Sequence, residues 1–121
     1  MLEKEVEQYL SHRIKAMGGR AYKFVSPGNA GVPDRLICLP GGYAAFAELK
    51  APGKNPRPLQ VAAQGQLRRL GFVVETINCK EQADKFCDWL EEERLNAVHT
   101  TRISSILRTD DCGETGGRPL A

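Results

Sequence analysis

Gly31-Val32-Pro33-Asp34-Arg35-Leu36-Ile37-Cys38-Leu39-Pro40-Gly41-Gly42-Tyr43-Ala44-Ala45-Phe46-Ala47-Glu48-Leu49-Lys50 is the stretch on which the fold of this chain turns. Two apolar runs, 35–39 and 43–49, flank a Pro-Gly-Gly turn, so they form the two strands of a β-hairpin. Asp34 and Glu48 stand at the open ends of these strands, where an idle carboxylate is costly. Side chains alternate along a strand, which points Glu48 and Lys50 to the same side. Whether Asp34 joins them depends on the turn. A two-residue turn at Gly41-Gly42 sets Asp34 opposite Leu49, on the wrong face. A three-residue loop at Pro40-Gly41-Gly42 pairs Leu39 with Tyr43 and sets Asp34 opposite Glu48.

Outward from the hairpin, residues 3–17 have Val6, Leu10, Ile14 and Met17 at helical spacing, ended by Gly18-Gly19. Residues 21–25 form a short strand, and Ser26 to Gly31 a loop of turn formers. The segment Ala51 to Pro58, with three prolines, Lys54 and Arg57, is a basic loop. A helix is expected over residues 59–70 with Leu59, Ala63, Leu67 and Leu70 on one stripe and Gly71 at its C-terminal end, followed by a buried strand over 72–77. Strand, helix and strand in that order imply a crossover, so this strand runs parallel to the second hairpin strand. A last helix is expected to start near Asn78, capped there with Glu81, to bury Ala83, Phe86, Cys87 and Leu90, and to end in Glu91-Glu92-Glu93. The chain thus divides into a domain over 1–95 and a tail over 96–121 with a short helix at most, partly disordered.

The 121 residues suffice for one domain with a modest core. No apolar run approaches the roughly 20 residues of a membrane span. The charged N-terminus has no signal-peptide character, so a cytoplasmic protein is expected. The four cysteines form no Cys-x-x-Cys pair, which argues against a zinc knuckle, and all are expected as reduced thiols. No Gly-rich phosphate loop is present, so nucleotide hydrolysis is not expected. His12 and His99 are isolated, and Tyr43 and Trp89 fit packing roles. Net charge is +2, but residues 1–72 carry 11 Lys and Arg against 5 Asp and Glu, and the remainder 6 against 10. The basic half holds the hairpin, as a phosphate-rich partner would require.

Two carboxylates and an ammonium at one end of a hairpin suit a hard divalent cation beside a phosphate. Asp34, Glu48 and the Leu49 carbonyl offer oxygen ligands for Mg²⁺, with Mn²⁺ as substitute. Lys50 would orient a water or neutralise a phosphate. Such a site favours metal-assisted phosphodiester hydrolysis.

Gly31-Val32-Pro33-Asp34-Arg35, Glu48-Leu49-Lys50-Ala51-Pro52-Gly53 and Pro58-Leu59-Gln60, in that order, resemble the virus-type replication-repair nuclease (VRR-NUC) domain of the PD-(D/E)xK superfamily. The resemblance spans about residues 1–90. It implies an α/β restriction-endonuclease-like core, with a mixed central sheet flanked by helices, and Mg²⁺-dependent DNA cleavage. It further implies a homodimer acting on four-way or branched junctions, like the small resolvases. Carried over by position, Asp34 and Glu48 are metal ligands, Lys50 the catalytic lysine and Gln60 a glutamine at the active site. A first-helix glutamate also belongs to the site in this superfamily; Glu3 is preferred, with Glu7 second. Lys23 and Ser26 border the loop and could touch phosphate, although an exposed strand lysine is the plainer reading. Alternatives are a nuclease of the same core acting on flaps or ends, and a non-catalytic DNA-binding module.

Overall fold

The computed structural model describes residues 2–111 of the chain, and side-chain surroundings through residue 95. Helix α1 (Glu3–Ala16) forms on the expected stripe, with Val6, Leu10 and Ile14 buried. The Leu2 amide donates to Glu5 Oε1 at 2.7 Å, which satisfies one of the free N–H groups at its start. Strand β1 (Arg20–Lys23), the hairpin strands β2 (Arg35–Leu39) and β3 (Tyr43–Leu49), helix α2 (Pro58–Arg69), strand β4 (Val73–Ile77) and helix α3 (Lys80–Asp111) follow.

The four strands make one mixed sheet in the order β1-β2-β3-β4. β1 and β2 are antiparallel, as are β2 and β3, while β4 runs parallel to β3. That parallel pair is what the strand–helix–strand order predicts. In the hairpin Leu39 pairs with Tyr43 and Arg35 with Ala47. The turn is therefore the three-residue loop, made possible by Gly41 and Gly42 at φ of 89° and 79°. One step beyond Arg35, Asp34 comes opposite Glu48. The register that brings the two carboxylates to one face is the one adopted.

Alternation then sorts the sheet. Ile37, Leu39, Ala45, Ala47, Leu49 and Ile77 face α1 and α3 and form the main core with Leu10, Ile14, Ala83, Phe86 and Leu90. On the other face, α2 packs over β4, and Phe46 lies edge-on between Phe24 and Phe72, each ring 5.5 Å away. Outside the sheet, Tyr9 donates to Asp84 at 2.6 Å and Arg13 reaches Asp88 at 3.0 Å, tying α1 to α3.

Three expectations need correction. The α2 stripe of Leu59, Ala63, Leu67 and Leu70 turns inward only in its middle: Ala63 and Leu67 are half-buried, Leu59 is 58% and Leu70 72% exposed, and the buried positions are Gln60 and Gln64. The sheet face beneath carries Glu48 and Thr76, whose polar groups require partners, and apolar side chains would have left them unpaired. Helix α3 starts at Lys80, close to the expected Asn78, but the Asn78 amide donates to Gln82 Oε1 instead of entering a cap with Glu81. The helix then continues past Glu93 to Asp111 where a tail with a short helix at most was expected, since no Gly or Pro interrupts residues 80–111. Of that tail, residues 112–121 lie outside the described residues.

Gly31 joins the loop after β1 to the start of α2. It sits at φ 89°, and a Cβ there would lie 2.6 Å from the Leu59 carbonyl oxygen. Gly31→Ala should therefore cost about 2 kcal/mol or more, from left-handed backbone strain plus displaced helix backbone. Chemical denaturation checks it, with a lowered midpoint at unchanged slope as the expected outcome.

Candidate active site

The end of β3 next to the α2 N-terminus gathers the predicted site residues. Asp34, half-buried, accepts the Leu49 amide N–H on Oδ1 at 3.0 Å. Its own carbonyl accepts the Phe24 amide at 2.9 Å. Glu48, 5% exposed, lies on the same sheet face as its cross-strand neighbour. Lys50 Nζ is 3.7 Å from Glu48 Oε2. Gln60 donates from Nε2 to the same Oε2 at 3.1 Å.

Gln60 has a second bond. Its Oε1 accepts the Arg57 amide at 2.8 Å, one of the free N–H groups at the start of α2. One buried amide therefore both caps the helix and holds Glu48. Behind it, Gln64 donates to Thr76 Oγ1 at 3.1 Å, and Arg68 donates to Gln64 Oε1 and to the Val74 carbonyl. The underside of α2 is a polar seam that begins at Glu48.

Burial raises the Glu48 carboxyl above its ordinary range, and the neighbouring Asp34 charge raises it further; Lys50 opposes both. Asp34 is likewise raised, first by burial, with the Leu49 N–H acting in the opposite direction. Two acids whose charged forms both resist burial are suited to a cation. Among the described residues no group of three His, Cys, Asp or Glu side chains converges on one point. The donor set is instead two carboxylates with main-chain oxygen nearby: in an extended residue the carbonyl leaves from the same edge as the N–H, so the Leu49 carbonyl shares the edge whose N–H meets Asp34. Two carboxylates and a carbonyl fit Mg²⁺ or Mn²⁺, which keeps waters in its other positions.

Beside Asp34 opens a cleft of about 500 Å³ between α1 and the end of β1, lined by Glu3, Glu7, Lys23, Val25 and Arg35 among others. The two α1 glutamates differ. Glu7 is ion-paired with Arg35 Nη2, whereas exposed Glu3 has no such bond among the described residues and its charge reaches Asp34 and Arg35. Lys23 borders the cleft, while Ser26 Oγ is engaged by Asn29 Nδ2 at 2.9 Å.

The other singled-out groups lie away from this centre. His12 is exposed on α1. Tyr43 packs on the core, as expected, but Trp89 is 44% exposed beside a separate cleft at the β4 edge. Cys87 is buried and its thiol is pushed up to about 11 by burial, which leaves it inert. Cys38 and Cys79 are free thiols, and Cys112 lies outside the described residues.

Sequence reasoning missed Arg35, Gln64 and Arg68. Arg35 did carry a signal: it shares strand parity with Ile37 and Leu39, so a charged residue had to enter the apolar face. The glutamines sit at helical spacing from each other (60, 64), a pattern that is invisible when only apolar residues are followed.

Compared with solved structures, the chain matches one described as "VRR_NUC domain" at a TM-score of 0.67 and 32% identity, covering 71% of this chain and 94% of that one. Over 79 residues it is 44% identical to "Putative nuclease p44" of Acyrthosiphon pisum secondary endosymbiont phage 1, covering 65% of this chain and 85% of the phage protein. This chain belongs to the VRR-NUC family. A scan against profiles of known protein families finds no match. The VRR-NUC fold accounts for the mixed four-stranded sheet with its three helices, the restriction-endonuclease-like α/β architecture expected from the motifs. No helix among the described residues is long and apolar enough to cross a membrane.

Proposed function

We propose that this VRR-NUC chain is a metal-dependent endonuclease that hydrolyses DNA phosphodiester bonds, and that it acts on branched DNA, four-way junctions foremost, as a homodimer. The observation that carries the hydrolytic reading is the β2–β3 register, which sets Asp34 one step beyond the Arg35–Ala47 pair and so opposite Glu48, with Lys50 3.7 Å from the latter. Both carboxylates are raised by burial, a cost without return unless a cation or a proton occupies the site.

In this reading Asp34, Glu48, Glu3 and the Leu49 carbonyl hold Mg²⁺ or Mn²⁺. When bound, the ion supplies Lewis acidity to the phosphate and lowers the pKa of a coordinated water. The Leu49 N–H fixes one Asp34 oxygen, so that carboxylate keeps its orientation. Gln60 fixes Glu48 Oε2. Lys50 holds positive charge where the scissile phosphate gains negative charge. The basic loop with Lys54 and Arg57 flanks the site and suits the phosphate backbone. For the dimer, the exposed Leu59, Val61, Leu70 and Phe72 on and after α2 supply apolar surface that a second copy would cover. A two-fold dimer would present two equivalent sites to the equivalent strands of a junction.

The test is a substrate panel of duplex, flap, splayed-arm and four-way junction DNA incubated with Mg²⁺ or with EDTA. Junction cleavage that needs the metal and exceeds duplex cleavage is the expected outcome. Equal cutting of duplex and junction would remove the junction from the proposal, and a preference for flaps or ends would replace it. Binding of all four without cleavage in Mg²⁺ and in Mn²⁺ would leave a DNA-binding module.

A further inference from the structure

We infer that Arg35 is a positioning residue that clamps Asp34, and that Glu7 serves to hold this arginine rather than to bind metal; the inference rests on the metal site proposed above. Arg35 is only 8% exposed, so its guanidinium must be partnered. The partners are specific. Nη2 pairs with Glu7 from α1. Nη1 donates to the Asp34 carbonyl at 2.8 Å and lies 3.8 Å from Asp34 Oδ2. The other Asp34 oxygen already accepts the Leu49 N–H. A donor from β3 and a cation from β2 therefore bracket the carboxylate, and the same cation braces the peptide that carries it.

A purely structural role, stapling α1 to the sheet, is superfluous. Val6, Leu10 and Ile14 already bury α1 against the core, and Tyr9 and Arg13 bind α3 through Asp84 and Asp88. The Arg35–Glu7 pair instead lines the cleft that Asp34 also lines. A cation this close to a ligand also opposes a metal electrostatically. Positioning and charge thus act in opposite directions on metal affinity, which makes the sign of the effect decisive.

Mn²⁺ affinity is measured by calorimetry on the wild type, Arg35→Gln, Arg35→Lys and Glu7→Gln, beside thermal unfolding and steady-state cleavage. In the two glutamine variants Mn²⁺ binding should weaken by about 10-fold or more, the scale seen when groups that orient metal ligands are removed. Their kcat should fall with KM for DNA unchanged. Arg35→Lys should be intermediate, because an ammonium reaches Glu7 or Asp34 but does not fork between them. Unchanged or tighter Mn²⁺ binding in folded Arg35→Gln overturns the inference. Should that variant not fold, the same result in Glu7→Gln, whose side chain is 34% exposed, overturns it. A wild type that binds no Mn²⁺ instead overturns the metal site itself.

Discussion

Asp34→Asn and Lys50→Ala should each reduce phosphodiester cleavage by about 10²–10³-fold or more, the loss expected when one pre-organised charge leaves a water-poor site. The two variants fail for different reasons. In Asp34→Asn the amide keeps an oxygen for the Leu49 N–H, so the loop and hairpin stay in place, but half of the paired negative charge that the site offers to a cation is gone. Lys50→Ala leaves the carboxylates intact and removes the cation 3.7 Å from Glu48. Lys50 is largely enclosed, its side chain 16% exposed, so bulk water screens its charge poorly and its loss is felt at the phosphate. DNA binding should change little in either, because the basic loop and Lys23 remain. Single-turnover cleavage and gel-shift titration of the same junction check both halves. Retained cleavage in both variants would mean that the chemistry resides elsewhere.

Glu48→Gln should abolish cleavage and, without metal, raise the melting temperature near neutral pH by a few degrees. The sign follows from proton binding. Burial and Asp34 raise the folded-state pKa of Glu48, so between the ordinary carboxylate range and that raised value the folded protein holds more protons than the unfolded chain. Stability of the metal-free wild type therefore falls as pH rises through this window. The glutamine variant has no such proton to lose, and its amide oxygen still accepts from Gln60 Nε2, so its stability lacks this slope. A few degrees is the scale on which about 1 kcal/mol moves the melting temperature of a domain this size. The stabilised, inactive variant is the signature of a site held in a costly state for function. Calorimetric melts of both proteins from pH 4 to 8 in EDTA measure it; parallel curves would show that the Glu48 charge costs the fold nothing. Saturating Mn²⁺ should raise the wild type and leave the variant nearly unmoved.

Local chemistry made much of this molecule legible. Val6, Leu10 and Ile14, at helical spacing, define the buried stripe of α1 whatever the rest of the chain does. Strand alternation and a Pro-Gly-Gly turn define the hairpin, and the order of strand, helix and strand defines the parallel pair. The motif residues were legible too, because carboxylates at the ends of apolar strands have few structural uses. The first helix of the site was half legible: spacing allowed both glutamates with Glu3 preferred and Glu7 second, and the arginine facing Glu7 appears only in the tertiary structure.

By itself, then, the sequence determined the strands and the first two helices, the hairpin with its two carboxylates, and the resemblance to VRR-NUC domains, all of which depend on residues near one another in the chain. Tertiary structure alone decided which of two turn registers brings Asp34 beside Glu48, because both are locally allowed and only the buried face distinguishes them. It also decided that α2 buries Gln60 and Gln64 against the sheet and leaves Leu59 and Leu70 exposed. Helical spacing specifies a stripe, but the partner surface chooses it, and here that surface holds Glu48 and Thr76, which only hydrogen-bonding side chains can satisfy.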